Sequence, residues 1–142
     1  MNFENLPAGW PTIPLTDPDH IADVLDIFVS PSDRRAGSLL ILICDEQRRP
    51  VQPVVINDID AGHHWDDHVP LERIARQVAE LKPDATVLCA VARTGHTRVT
   101  TTDRRWAHTL ERAFAGHLEL LGIHLITLDG TQPITTESNE AA

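Results

Sequence analysis

Residues 38–44 read SLLILIC and residues 85–92 read ATVLCAVA, two runs in which nearly every position is apolar. A strand with one face in water alternates polar and apolar residues, whereas a run without alternation fits a strand covered on both faces. Two such strands in one chain call for a sheet with helices packed on either side. That requirement sets the fold class more firmly than any other feature of the sequence.

The chain supplies the helices. Asp17 ahead of Pro18 reads as an N-cap followed by proline at the first helical position. Ile21, Val24, Leu25 and Phe28 then recur at helical spacing. Pro70 opens a second helix with Leu71, Ile74, Ala75, Val78 and Leu81 on one face, ended by Lys82, Pro83 and Asp84. A polar stretch over 93–102 leads into a long helix whose face is Trp106, Leu110, Phe114, His117/Leu118 and Leu121. Gly122 suits the position just past its end. Residues 45–50 form a polar turn, 51–57 a second strand with Pro53 marking an edge or a bulge, and 123–128 a last strand. The expected class is α/β, a mixed sheet packed with helices and at least one right-handed βαβ crossover.

At 142 residues the chain is expected to hold one domain over 17–130. An extended N-terminal arm over 1–16, with Pro7, Pro11 and Pro14, precedes it, and a flexible C-terminal tail over 131–142 follows. No apolar run approaches the roughly 20 residues of a membrane span. Residues 1–10 lack the basic region and apolar core of a signal peptide. Cys44 and Cys89 sit inside apolar runs and read as buried thiols in a reducing cytoplasm.

Net charge is −9, which argues against wholesale binding to nucleic acid or anionic membrane. The charge is unevenly spread. Residues 93–112 hold Arg93, Arg98, Arg104, Arg105 and Arg112 against Asp103 and Glu111 alone. A loop feeding a helix N-terminus there offers an anion contact, with arginines able to clamp a carboxylate or phosphate. Interleaved aromatics for single-stranded nucleic acid are nearly missing, and Trp106 has the phase of a core residue.

Two further clusters carry possible chemistry. Residues 58–68, DIDAGHHWDDH, include His63, His64, Asp66, Asp67 and His68, a donor set for zinc or another divalent ion. Its spacing matches no closed zinc site, and a solvated loop between a strand and a helix is the preferred reading. Thr100 to Asp103 reads as T-x-x-D, a variant capping box for the long helix or a hydroxyl beside a metal-binding carboxylate. The cap is the preferred reading. No P-loop, dinucleotide fingerprint or G-x-S-x-G occurs.

The run Ala90-Val91-Ala92-Arg93-Thr94-Gly95 followed by Thr100-Thr101-Thr102-Asp103 and a helix to Leu121-Gly122-Ile123 resembles the RadC-like branch of the JAB/MPN (JAMM) metalloprotease fold. There a strand ends in H-x-H-P-S-G, and S-x-x-D opens the helix. The residues LLILICDEQRRPV and VPLERIARQVAELKPDATVLCA resemble that family's earlier strand-turn-strand and helix-to-strand segments, so the likeness spans about 24–130. It implies an MPN/cytidine-deaminase-like three-layer arrangement. It also implies that two histidines and an aspartate would hold zinc, with a glutamate activating water.

Here the histidine positions are Ala90 and Ala92, and the glutamate position falls among Ala36, Gly37 and Ser38. Asp103 remains, with Thr100 in place of serine. One carboxylate cannot hold an open-sited zinc, and without the ion nothing evident lowers the pKa of water.

The expectation is a pseudoenzyme without a cofactor that binds a protein partner or a small anionic ligand. Its site mouth would be Arg93, Thr94, Gly95, His96, Arg98, Thr100 and Asp103. One alternative is a zinc hydrolase with ligands relocated among His63, His64, Asp66, Asp67, His68, His96 and Asp103. Another is a DNA-associated accessory protein using the Arg93–Arg112 face. Homodimers through the arm or the Pro53 edge fit the same reading, and no membrane contact is expected.

Overall fold

The computed structural model describes residues 9–57, 59 and 69–135. Within them the chain forms helix α1 (Pro18–Phe28), helix α2 (Pro31–Ala36), strands β1 (Ser38–Cys44) and β2 (Pro50–Asn57), and helix α3 (Val69–Leu81). Strand β3 (Thr86–Ala92), helix α4 (Thr101–Phe114) and strands β4 (Glu119–Thr127) and β5 (Gly130–Pro133) follow. The protein is α/β, a five-stranded mixed sheet of order β2-β1-β3-β4-β5. β3 and β4 are parallel and joined through α4, and the other pairings are antiparallel.

All seven residues of β1 and of β3 are buried, as unbroken apolar runs require. Their side chains divide by parity. Leu39, Ile41, Cys89 and Val91 join α3 and α4 in one core layer, around Trp106, Leu110 and Phe114. Leu40, Leu42, Ala90 and Ala92 join Val24, Leu25 and Val29 of α1 and its exit in the other. The helices therefore lie on both faces, giving three layers. Each fully buried Leu or Phe side chain contributes roughly 1.5–3 kcal/mol.

Local signals account for most of the boundaries. Asp17 caps α1, its carboxylate accepting from the His20 N–H at 3.2 Å. Between β1 and β2, Asp45 Oδ1 accepts from the Gln47 and Arg49 N–H groups, which ties the turn. Pro53 lies in β2, an edge strand of the sheet, where a missing N–H costs no ladder bond if it faces outward.

Four boundaries differ from expectation. The long helix stops at Phe114, not near 121, because Gly116 takes a left-handed φ of 79° and the His117 and Leu118 N–H groups turn back to the Phe114 carbonyl. Leu118 is buried although it lies beyond the helix, so the apolar period ran past the true end. Residues 119–122 consequently belong to β4.

The second difference is α2, which rests on a capping box between Ser30 and Asp33 behind Pro31. Third, the first residues assigned to a flexible tail form β5. Ile134 then donates to the Ile123 carbonyl at 2.8 Å and is buried. Fourth, the arm is docked from Gly9 onward. Trp10 meets Phe28 edge-on with centroids 6.1 Å apart, Leu15 is buried, and its N–H reaches the Arg48 carbonyl at 2.8 Å.

Candidate functional site

Of the site-mouth residues named from sequence, Arg93 to Thr100 fall on one loop, 93–100, leaving the carboxyl end of β3 beside the carboxyl end of β4, and Asp103 lies in the first turn of α4. The outer ends of parallel strands are where α/β sheets commonly bind ligands. Arg93 extends the ladder, its N–H donating to the Ile126 carbonyl at 3.0 Å. Its side chain then turns toward the start of α4.

There Arg93 meets Asp103 with a two-pronged ion pair. Nε donates to Oδ1 at 3.0 Å and Nη2 to Oδ2 at 2.8 Å. The remaining donors close the loop on itself. Nη1 donates to the Thr94 carbonyl at 2.7 Å and the His96 carbonyl at 3.3 Å, and Nη2 to the Arg98 carbonyl at 3.0 Å. A guanidinium has five N–H donors, and all five are used.

Asp103 is equally committed. Its side chain has 0% exposure. Besides Arg93, Oδ2 accepts from the Thr100 N–H at 2.8 Å, while Thr100 Oγ1 accepts from the Asp103 N–H at 3.2 Å. That reciprocal pair is the capping box that T-x-x-D signalled. Burial pushes the carboxyl pKa up, but the bonds from Arg93 and Thr100 outweigh it and hold Asp103 below its ordinary value. The same bond to Asp103 raises Arg93, against the effect of burial.

Gly95 completes the lock. It has a φ of 96°, and a Cβ there would lie 3.1 Å from Arg93 Nη1. Both the left-handed backbone and the close approach ask for glycine.

The structure brings a second turn to the same place, which sequence reasoning missed. Thr97 Oγ1 hydrogen-bonds Thr127 Oγ1, and Thr127 Oγ1 accepts from the Asp129 N–H at 3.1 Å. His96 Nδ1 stands 4.0 Å from Asp129 Oδ2, both largely exposed, a contact of little energetic weight. Leu128, 49% exposed, tops this turn. The rim is thus Thr94, His96 and Arg98 from one loop with Leu128 and Asp129 from the other. The sequence signal for the second turn was Leu-Asp-Gly after a strand.

Ala90 and Ala92 lie elsewhere. Both are buried in the layer beneath α1, whereas α4 and Asp103 cover the opposite face. Ser38 stands beside Ala92 in register, and its hydroxyl bonds the Asp33 carbonyl and Asn57 Oδ1. Ala36 is exposed and Gly37 ends α2.

Arg34 fills the layer at this end. Its Nη1 donates to the Thr127 carbonyl at 3.0 Å, and its Nη2 to Asp26 Oδ1 at 2.6 Å and the Val29 carbonyl at 2.8 Å. The alanines offer no lone pair, and both oxygens of Asp103 are already committed. These residues do not fit the zinc that the resemblance implies.

His63, His64, Asp66, Asp67 and His68 lie outside the described residues. His96 projects into solvent, and His108 sits 3.8 Å from Glu111 on the outer face of α4. Among the described residues, no group of three His, Cys, Asp or Glu side chains is placed to hold a metal. Trp106 is fully buried, so it is not available for base stacking.

Compared with protein-family models and with curated proteins, the chain matches none. Among the described residues no helix is long and apolar enough to cross a membrane.

Proposed function

We propose that this chain is a non-catalytic recognition domain, similar in motif register to the RadC-like MPN fold. In this reading it binds an acidic protein partner through the rim of the two turns at the carboxyl ends of β3 and β4. The carrying observation is the Arg93–Asp103 pair. Together with the Thr94, His96 and Arg98 carbonyls it uses every donor of Arg93, and both oxygens of Asp103 are taken, so the two serve as support and not as ligands. What they support is a pre-formed loop that presents Thr94, His96 and Arg98, with Thr100 at the helix start.

Pre-organisation of this kind lowers the ordering cost of association. Arg98 is exposed and, among the described residues, has no ion-pair partner, which favours an acidic contact. Both thiols are free and buried, in keeping with a reducing cytoplasm.

The test has two arms. Chelator-treated protein is titrated with zinc by calorimetry, and the expected result is no stoichiometric binding. A photo-crosslinker at position 96 identifies the partner, whose affinity, measured with purified components, is expected to drop about tenfold or more for Arg98→Glu. Tight zinc lost on Asp103→Asn, together with hydrolytic turnover, overturns the reading. So does a partner whose affinity Arg98→Glu leaves unchanged.

A further inference from the structure

Helix α3 carries its apolar stripe further than the core reaches. Leu71 and Ala75 are buried, and Ile74 and Val78 pack against the same core layer. Leu81 has the phase of that stripe, yet it is 82% exposed. Lys82, Pro83 and Asp84 follow in an exposed turn, closed where the Ala85 N–H donates to the Lys82 carbonyl at 3.0 Å.

A hollow of about 220 Å³ opens between this turn and the turn that joins β1 to β2. Val51, Pro83 and Ala85 are its apolar lining. Val51 reaches it through a bulge. Ile43 pairs with Gln52 and Cys44 with Pro50, which leaves Val51 as the extra residue of β2. A bulge re-aims the side chain it carries, and Val51 is left 48% exposed at the hollow. Leu81 stands next to this hollow in sequence but does not line it.

The same turn carries one charge of each sign. Lys82 and Asp84 both border the hollow and are exposed, and among the described residues neither has an ion-pair partner. A projecting leucine, an unfilled apolar hollow, a cation and an anion thus lie side by side. Such a set is complementary to itself across a two-fold axis, where residue i meets j and j meets i. An unrelated partner would require no such reciprocity.

We propose that two copies of this chain dock through this corner. Leu81 of each copy enters the hollow of the other, and Lys82 of each meets Asp84 of the other. The leucines are the anchors, and the exposed charges fix the register more than they add affinity. The contact is small, so the dimer is weak and reversible. It lies at the opposite end of β3 from the Arg93 loop. Self-association and partner binding at that loop can therefore each fail without the other.

Sedimentation velocity on the full chain, from about 10 µM to 1 mM, is expected to show a monomer–dimer equilibrium with a dissociation constant on the order of 100 µM. Leu81→Ala is expected to weaken it about tenfold or more, with the thermal midpoint unchanged because the side chain is exposed. Lys82→Glu and Asp84→Lys each set like charges against one another across the axis, so each variant alone is expected to stay monomeric. An equimolar mixture of the two variants restores both attractions and is expected to dimerise.

A monomer throughout the range overturns the proposal, as does a dimer that Leu81→Ala leaves intact. A mixture of the charge variants that stays monomeric overturns the two-fold arrangement and with it the proposal.

Discussion

Gly95 packs so closely on Arg93 that a methyl group at its Cα would stand 3.1 Å from the Nη1 nitrogen. The contact joins a backbone constraint to an electrostatic one, because that nitrogen is donating to the Thr94 and His96 carbonyls at the same time. A side chain at 95 must therefore strain φ and also displace the guanidinium from its bonds.

Gly95→Ala is expected to cost about 2 kcal/mol or more, from left-handed strain plus weakened Arg93 bonding. Gly116→Ala is the control. Its φ is 79°, but its Cβ would meet nothing within 4 Å, so about 1 kcal/mol is expected. Urea unfolding of both variants measures the difference. Equal losses would show that the approach to Arg93 carries no energy.

Asp103→Ala leaves the largely buried guanidinium of Arg93 without its counter-charge and removes the carboxylate half of the capping box at α4, while Thr100 Oγ1 keeps its bond to the residue 103 N–H. Breaking one side of such a pair costs about 3–5 kcal/mol. Arg93→Met with Asp103→Ala removes both charges, so its loss is expected to fall well short of the sum of the singles. The pH dependence has a definite sign. Asp103 is held below its ordinary value of 3.8. Its stabilising contribution is present above that value and is lost as pH falls through the lower folded one. A double-mutant cycle at neutral pH, repeated near pH 3, reads both effects. Additive singles would remove the pair as the element that locks the loop.

His124 is expected to set a second acid-side transition. It sits on β4 with 8% exposure, and among the described residues its Nδ1 has no hydrogen-bond partner. Burial lowers its pKa from 6.5 to about 4. The unfolded chain then binds a proton that the folded chain refuses between these values, so stability falls as pH drops from 6.5 toward 4. The loss is on the order of 3 kcal/mol over that window. His124→Leu keeps the volume close and is expected to flatten the window. Unfolding free energies at several pH values check it, and an unchanged slope in the variant would contradict the assignment to His124.

The sheet was legible because unbroken apolar runs leave few options for a strand. SLLILIC and ATVLCAVA ask for interior positions, and β1 and β3 are two of the three inner strands, with β4 the third. The end of α4 was not legible from periodicity. Leu118 and Leu121 continue the helical period, and Gly122 offers a plausible stop, whereas the chain turns at Gly116. β5 was hidden because an edge strand of four residues with one buried follower, Ile134, leaves almost no apolar pattern.

At the site, the capping role of Thr100 and Asp103 followed from spacing alone. The turn through Asp129 and the buried Arg34 did not, since both depend on contacts between residues far apart in sequence. Arg93 illustrates the limit. As a lone arginine near a helix start it reads as an anion clamp, and only its five bonded donors reveal a strut.

The placement of Ala90 and Ala92 predicts the outcome of restoring imidazoles. Ala90→His with Ala92→His would point both rings into the layer packed by Leu25, Val29 and Leu40, not toward Asp103 across the sheet. Each ring must overpack a filled core, at about 1–3 kcal/mol, and bury polar nitrogens without partners. The double variant is therefore expected to lose most of its stability and gain no zinc, with Asp103 still held by Arg93. Thermal unfolding and zinc calorimetry on the purified variant measure both. A stable variant that binds zinc stoichiometrically, and loses it on Asp103→Asn, would mean that the two faces communicate through a rearranged 93–100 loop and that the metal site is dormant.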